Sequence, residues 1–202
     1  MEVVQELLYI SCMTKEIRQI TDSGVLAAMS HPLRRRLMDV LKVYGPSTVS
    51  QLADRTDQAV ANVSHHLKVL GACELIEEAP ELARDRRERW WRLVSAGVRW
   101  TTADFDGDPA AAAVASAAQS LNLDRHASLV RQWFATSEAE RARWENSPFA
   151  TGKWMHLTPA ELARLEAELI EVFSRWADRD LPDDGERREP VFAFAYGVPA
   201  QP

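Results

Sequence analysis

The sequence predicts a mainly α-helical chain carrying one small β-hairpin. Three observations predict it. Residues 48–70 read as two short amphipathic segments joined by a tight turn. A proline-led helical pattern precedes them and a pair of short β-like runs follows. Beyond residue 110 the chain is dominated by alanine-rich and capped helical stretches.

The helix pair comes first. Pro46 and Ser47 form a start signal, with Ser47 as the expected N-cap. Val49, Leu52 and Ala53 then give two turns a small apolar face, and Arg55-Thr56-Asp57 breaks the pattern. Thr56 or Asp57 can cap the next helix. From Gln58 onward, Val60, Val63, Leu67 and Leu70 recur at helical spacing and form the expected buried stripe. At about 100° per residue, Gln58, Ala61, Asn62 and His65 point the other way, with His66 and Lys68 on the flanks.

That outward face has the chemistry of a base reader. Asn and Gln amides can pair twice with adenine, and His can donate to guanine N7 or to a phosphate. An amphipathic helix in an all-α core with a solvated polar face would show the same periodicity, so the flanks decide. Upstream, His31-Pro32-Leu33 opens a helix with Pro in its first turn, and Leu33, Leu37, Val40 and Leu41 face one core. Downstream, Leu75–Glu78 and Trp90–Leu93 read as two short strands around the basic turn Arg84-Asp85-Arg86-Arg87-Glu88-Arg89. Three helices followed by a hairpin with arginines near its tip make a winged helix-turn-helix, whose wing can lay guanidinium groups on phosphates or in a minor groove. The expected base-reading residues are Gln58, Ala59, Asn62 and His65, because the N-terminal end of such a helix enters the groove first. The expected backbone contacts are Thr48, Ser64, His66, Lys68, Arg84, Arg86, Arg87 and Arg89.

Residues from about Thr21 to Leu93 resemble the ArsR-type winged-helix repressors. The resemblance is carried by Leu26-Ala-Ala-Met-Ser-His-Pro-Leu-Arg34, by Asn62-Val-Ser-His-His-Leu-Lys-Val-Leu70, and by the basic wing Arg84-Asp-Arg-Arg-Glu-Arg-Trp-Trp-Arg92. It implies a homodimer that binds an operator and whose affinity is switched by a signal. Metal-sensing members carry a cysteine pair in the first helix of the motif, a soft thiolate site. Here that helix reads Val49-Ser-Gln-Leu-Ala-Asp54, so the resemblance is to the non-metal-sensing type.

Other chemistry finds little footing. Cys12 and Cys73 are isolated, and Cys73 near the end of the reading helix is expected as a small buried thiol. His65 and His66 are adjacent on a helix and diverge by about 100°, too far to share one ion. The remaining histidines, His31, His126 and His156, are scattered. No metal or other cofactor is expected. There is no G-x-S-x-G elbow, phosphate-cradling glycine loop or H-E-x-x-H pattern, and the expectation is a protein that is not an enzyme, with no catalytic residues. Glu74 occupies a position where a helix stop normally favours Gly.

Charge fits once it is divided. The chain carries a net charge of −6, yet residues 23–94 hold 11 Lys/Arg against 9 Asp/Glu, leaving −8 for the rest. An acidic total limits nonspecific stickiness without forbidding a local basic face. No apolar run approaches a membrane span, the N-terminus lacks the basic start of a signal peptide, and cysteines are few. A cytoplasmic protein with no membrane partner is expected.

Four regions follow from the pattern. Residues 1–22 are expected as an N-terminal helical extension, through Val4, Leu7, Leu8, Ile17 and Ile20. Residues 23–96 form the winged helix-turn-helix domain, and the turn-rich, acidic residues 97–109 a connector. Residues 110–202 form a mostly helical region with one or two short strands, for dimerisation and effector sensing. Its alanine-rich run Ala110–Leu121 has high helix propensity; its small-residue face suits a dimer seam, or else simply faces solvent. Helical stretches are expected from about Ala127 through Phe134 and from Ala139 to Trp144. Thr158-Pro-Ala-Glu161 is a capping box with Pro at the first helical position, opening a helix expected to bury Leu162, Leu165, Leu169, Val172, Phe173 and Trp176 on one stripe. Lys153–Leu157 and the alternating Val191–Tyr196 are the expected strands, paired with each other across that helix.

The tryptophans of this region, Trp133, Trp144, Trp154 and Trp176, admit two readings. One is an aromatic core or dimer interface. The other is a pocket for a small-molecule effector, lined by Trp133, Trp154, His156, Trp176 and Tyr196, with Arg175 as a further polar group. The combined expectation is a sequence-specific double-stranded DNA-binding transcriptional regulator of repressor type. It would act as a homodimer on an inverted-repeat operator. The alternative is a winged-helix protein-interaction module without specific DNA binding.

Overall fold

A computed structural model describes residues 17–85, 88–145 and 147–201. It divides into two compact units, one up to Asp124 and one from Arg125 onward. The division falls inside a single helix.

The first unit is the winged domain. Its helices are α1 (Ser23–Met29), α2 (Pro32–Tyr44), α3 (Val49–Thr56) and α4 (Val60–Ala72). Strand β2 (Ser47–Thr48) precedes α3, and β3 (Ile76–Glu78) and β4 (Trp90–Leu93) follow α4. These three form an antiparallel sheet in the order β2-β4-β3, with Glu77 opposite Arg92 and Thr48 opposite Trp90. The core is one cluster in which Leu26, Leu37, Leu52, Val63, Leu67 and Leu70 are fully buried. At roughly 1.5–3 kcal/mol for each buried aliphatic side chain, this shared cluster fixes how the helices cross.

Local signals set the helix ends. Asp22 caps α1 by accepting from the Gly24 N–H at 2.7 Å. His31 caps α2 through Nδ1, which accepts from the Leu33 N–H at 3.2 Å, with Pro32 at the first helical position. Thr48, not Ser47, caps α3: its hydroxyl accepts from the Gln51 N–H while its own N–H donates to Gln51 Oε1. Ser47 is displaced from that role because it lies buried in β2.

The expected helix over residues 1–22 lies outside the described residues as far as Glu16. Ile17–Gln19 is a strand, β1, parallel to β5 (Gly97–Arg99). Its backbone groups find partners across the chain rather than along it, and the Ile20 N–H extends the pairing to the Arg99 carbonyl at 2.9 Å. The stretch read as a connector therefore begins as a strand. It continues into a short 3-10 turn at Thr102–Phe105 that buries Phe105 in the core.

Helix α5 (Pro109–Phe134) is one continuous helix where two were expected. Its alanine stripe is neither a solvent face nor a free seam. Ala111, Ala115 and Ala118 are buried in the winged domain's own core, and the Trp100 indole donates to the Ala115 carbonyl at 3.4 Å. Small side chains let the helix lie close to that core. Arg35 Nη2 holds the same helix through Asn122 Oδ1 at 2.6 Å.

The second unit contains the end of α5, the short α6 (Glu138–Arg143) and α7 (Pro159–Ala177). Thr158 and Glu161 form the expected capping box, whose N–H contact to Glu161 holds that carboxyl below its ordinary pKa. Neither expected strand is present: Lys153–Leu157 and Val191–Tyr196 lie without ladder partners. The reason lies in the side chains. Phe192, Phe194 and Tyr196 stack on one another and on His126, with centroids 5.0 and 5.2 Å from Phe192 and Phe194, in place of a strand ladder. No helix among the described residues is long and apolar enough to cross a membrane.

Candidate nucleic-acid interface

The turn between α3 and α4 is built by two residues. Thr56 is buried, and its hydroxyl donates to the Leu52 carbonyl at 2.6 Å, so it closes α3 instead of capping α4. Asp57 adopts the left-handed conformation (φ 53°), and Gln58 N–H returns to the Ala53 carbonyl at 3.0 Å. Ala59 is then the N-cap of helix α4 and offers no side-chain cap. The helix's first N–H groups thus have no N-cap side chain to receive them.

The outward row is as the periodicity places it. Gln58, Ala59, Ala61, Asn62 and His65 are all exposed. Asn62 Nδ2 donates to Gln58 Oε1 at 2.9 Å, and Gln58 Nε2 donates to the Asp57 carbonyl at 2.8 Å. The two amides are thereby ordered as one unit before any partner arrives. Val60 departs from expectation, being 51% exposed rather than buried. As the first helical residue it overhangs the core, and it adds an apolar contact of the kind that suits a thymine methyl. Sequence reasoning missed it because periodicity alone does not show where a helix leaves its core.

His66 is also displaced. It is buried, with its ring 4.4 Å from that of His31 and 5.3 Å from that of His65. Its Nδ1 has no hydrogen-bond partner among the described residues. Burial, followed by the charges of His31, Arg34 and His65, lowers its pKa from 6.5. A side chain held this way packs α4 against the start of α2, where an exposed flank was expected.

The remaining backbone candidates gather beside the wing. Ser64, Lys68 and Arg89 border one recess of about 310 Å³ together with Val49, Glu78 and Trp91. Thr48 stands at its cap position with its hydroxyl accepting from Gln51. In the wing, Arg89 Nη1 lies 3.4 Å from Glu78 Oε1, and Arg92 bonds Glu77 at 2.7 Å and also Glu81. Glu88 accepts from the Arg84 N–H at 2.9 Å, which chiefly holds its carboxyl below the ordinary range. Arg86 and Arg87 lie outside the described residues. Across residues 77–92 five acidic side chains accompany five arginines, so the wing is less basic than its tip suggests.

The five aromatic and polar residues read as an effector pocket do not enclose one. Trp154 is 71% and Trp176 60% exposed, His156 and Tyr196 are exposed, and Trp133 is half-buried. Tyr196 Oη is 3.1 Å from His126 Nδ1, and Arg179 stacks on Trp176. The same exposure excludes an aromatic core within the unit. Cys73 is a free, half-buried thiol at the end of α4. Among the described residues no cluster of three or more His, Cys, Asp or Glu could hold a metal ion.

Residues 29–79 match the family model of a helix-turn-helix domain, spanning α2 to β3. Two solved structures of a doubly substituted variant of Lactococcus lactis ZitR are similar. The apo form has 17% identity over 70% of this chain and 83% of that one, with a TM-score of 0.29. The second has 16% identity over 69% and 74%, with a TM-score of 0.28. No curated protein matches the chain. The helix pair, the hairpin and the family match together define a winged helix-turn-helix domain within this chain.

Proposed function

We propose that this protein is a cytoplasmic, ArsR-like repressor that binds an inverted-repeat operator as a homodimer. Helix α4 enters the major groove, and the wing lies along the backbone. The observation that carries this reading is the exposed Gln58–Asn62 amide pair at the uncapped start of α4. Paired amides read adenine edges, while free N–H groups at a helix start favour phosphate through direct donation and the helix dipole. A protein-binding winged helix has no need of either feature.

Base readout falls to Gln58, Ala59, Asn62 and His65, joined by Val60. Phosphate contacts fall to Ser64, Lys68, Arg84, Arg86, Arg87 and Arg89, with Thr48 at the cap of α3. The organisation that goes with this role is a DNA-binding domain over residues 23–96 and a dimerising region within residues 110–202. Two-fold symmetry then places half-sites about one helical turn apart, or a multiple of it.

Fluorescence anisotropy with labelled DNA from upstream of its own coding sequence tests this, against scrambled competitor and across a salt series. Specific binding at least about a thousandfold tighter than to the scramble is expected, with a log–log salt slope set by the phosphates neutralised. Equal affinity for both DNAs would refute a sequence-specific repressor. Absence of binding even at low salt would favour the protein-interaction module.

A further inference from the structure

Helix α7 carries an apolar face that its own unit does not cover. The stripe expected to be buried is not: no residue of the helix is fully buried, and Leu169, Ile170, Val172, Phe173 and Trp176 are all exposed, because its own unit packs too little against it. Leu162 is partly used, since a Cβ on Gly197 would lie 3.0 Å from its Cδ1. The spacing of Leu162, Leu165, Leu169, Val172 and Trp176 is 3, 4, 3, 4, the a/d repeat of a coiled-coil seam. Ile170 and Phe173 widen that seam along one edge. The other edge is charged: Glu161, Glu168 and Arg175 occupy successive g positions.

Those charges choose the partner and the direction. We propose that α7 pairs in antiparallel fashion with α7 of a second copy of this chain, across a two-fold axis near Ile170 and Glu171. This deepens the homodimer reading and rests on it. In that register Leu169 packs on Val172 of the partner subunit, and Leu165 on the partner's Trp176. Glu168 then faces the partner's Arg175, and symmetry repeats the ion pair. A shift of one heptad places Glu168 against the partner's Glu168, or Arg175 against the partner's Arg175. A parallel arrangement places Glu161 against the partner's Glu166 twice. The shift that opposes the two Glu168 side chains also brings Glu161 to the partner's Arg175, but it keeps that like-charge contact; the proposed register alone pairs opposite charges with no like-charge contact. The apolar seam supplies the area, and the reciprocal pairs supply the orientation.

Charge reversal in the full-length protein tests this by sedimentation equilibrium. E168R and R175E should each weaken the dimer roughly tenfold or more, by setting like charges opposite one another twice. The double variant E168R/R175E should restore it, because the pairs re-form with signs exchanged. Both positions are exposed on the helix surface, and circular dichroism checks that the fold is kept. A dimer indifferent to both single reversals, or one the double variant fails to restore, would overturn the α7 seam while leaving a homodimeric regulator in place. A wild-type chain monomeric at all concentrations would overturn both the seam and the homodimer. Operator binding measured on the same samples separates a failed seam from a failed DNA-binding function.

Discussion

The imidazole of His31, at the N-cap of α2, lies with its centroid 4.4 Å from the imidazole of His66 on the inner side of α4. One contact thus joins the cap of the helix before the motif to the helix that carries the proposed base readers. His31 Nδ1 accepts from the Leu33 N–H, and His66 is buried close to Arg34, His31 and His65.

Acid should therefore loosen this brace. The folded pKa of His66 lies below 6.5, so the unfolded chain binds the proton more readily. The stability this residue contributes is present above pH 6.5 and is lost as pH falls through the lowered folded value. Urea unfolding from pH 7.5 to 5 should show that loss before ordinary carboxylates titrate. His66→Phe should flatten the slope in this window. An unchanged slope in that variant would assign the acid sensitivity elsewhere.

Base and backbone contacts should separate in binding measurements. Asn62→Ala should lose about 1–3 kcal/mol at one base pair and relax preference there. Lys68→Ala should weaken binding on every sequence and lower the salt slope by about 1. A systematic set of operator variants titrated at two salt concentrations distinguishes the two patterns. Equal losses across all base positions for Asn62→Ala would remove it from base readout.

Glu74 ends α4 in the left-handed conformation, at φ 54°. The Leu75 N–H returns to the Leu70 carbonyl at 3.1 Å, and Arg18 donates to the carbonyls of Cys73 and Glu74 at 3.0 and 2.7 Å. The backbone is held there despite the Cβ. Glu74→Gly should stabilise by about 1 kcal/mol by removing that steric penalty. Its carboxylate sits 3.8 Å from Arg18 and is mostly exposed, so little is lost with it. A thermal melt should rise by about 2–4 °C for each kcal/mol gained; a fall would mean the side chain matters more than its strain.

Ala115→Leu should destabilise by about 1–3 kcal/mol, because Ala115 is fully buried beside Trp100 and extra volume has nowhere to go. Chemical denaturation reads this directly. Sedimentation of the same variant should show an unchanged dimer constant if the alanine stripe serves the domain core alone.

Much of the winged domain was legible in the chain. Val63, Leu67 and Leu70 are buried as their spacing predicts, the Pro32 start of α2 is real, and Ile76–Glu78 pairs with Trp90–Leu93 as a hairpin. So are the exposed Gln58, Asn62 and His65. The misreadings share a cause. Val60 and His66 fall where a helix meets or leaves a neighbour, and periodicity treats every turn as if it faced the same core.

By itself the sequence determined the features that depend on near neighbours: the capping box at Thr158, the turn at Thr56-Asp57, the alternating faces of α4 and the apolar stripe along α7, though not its exposure. Each follows from bonds and contacts a few residues apart. Tertiary structure alone decided that Ile17–Gln19 is a strand, because its partner lies some eighty residues away at Gly97–Arg99. It decided that the alanines of α5 face Trp100 and that His66 meets His31. It also decided that the wing arginines share their charge with Glu77 and Glu78. Those outcomes depend on which distant surfaces compete for the same apolar area and the same hydrogen bonds, and no local pattern encodes that competition.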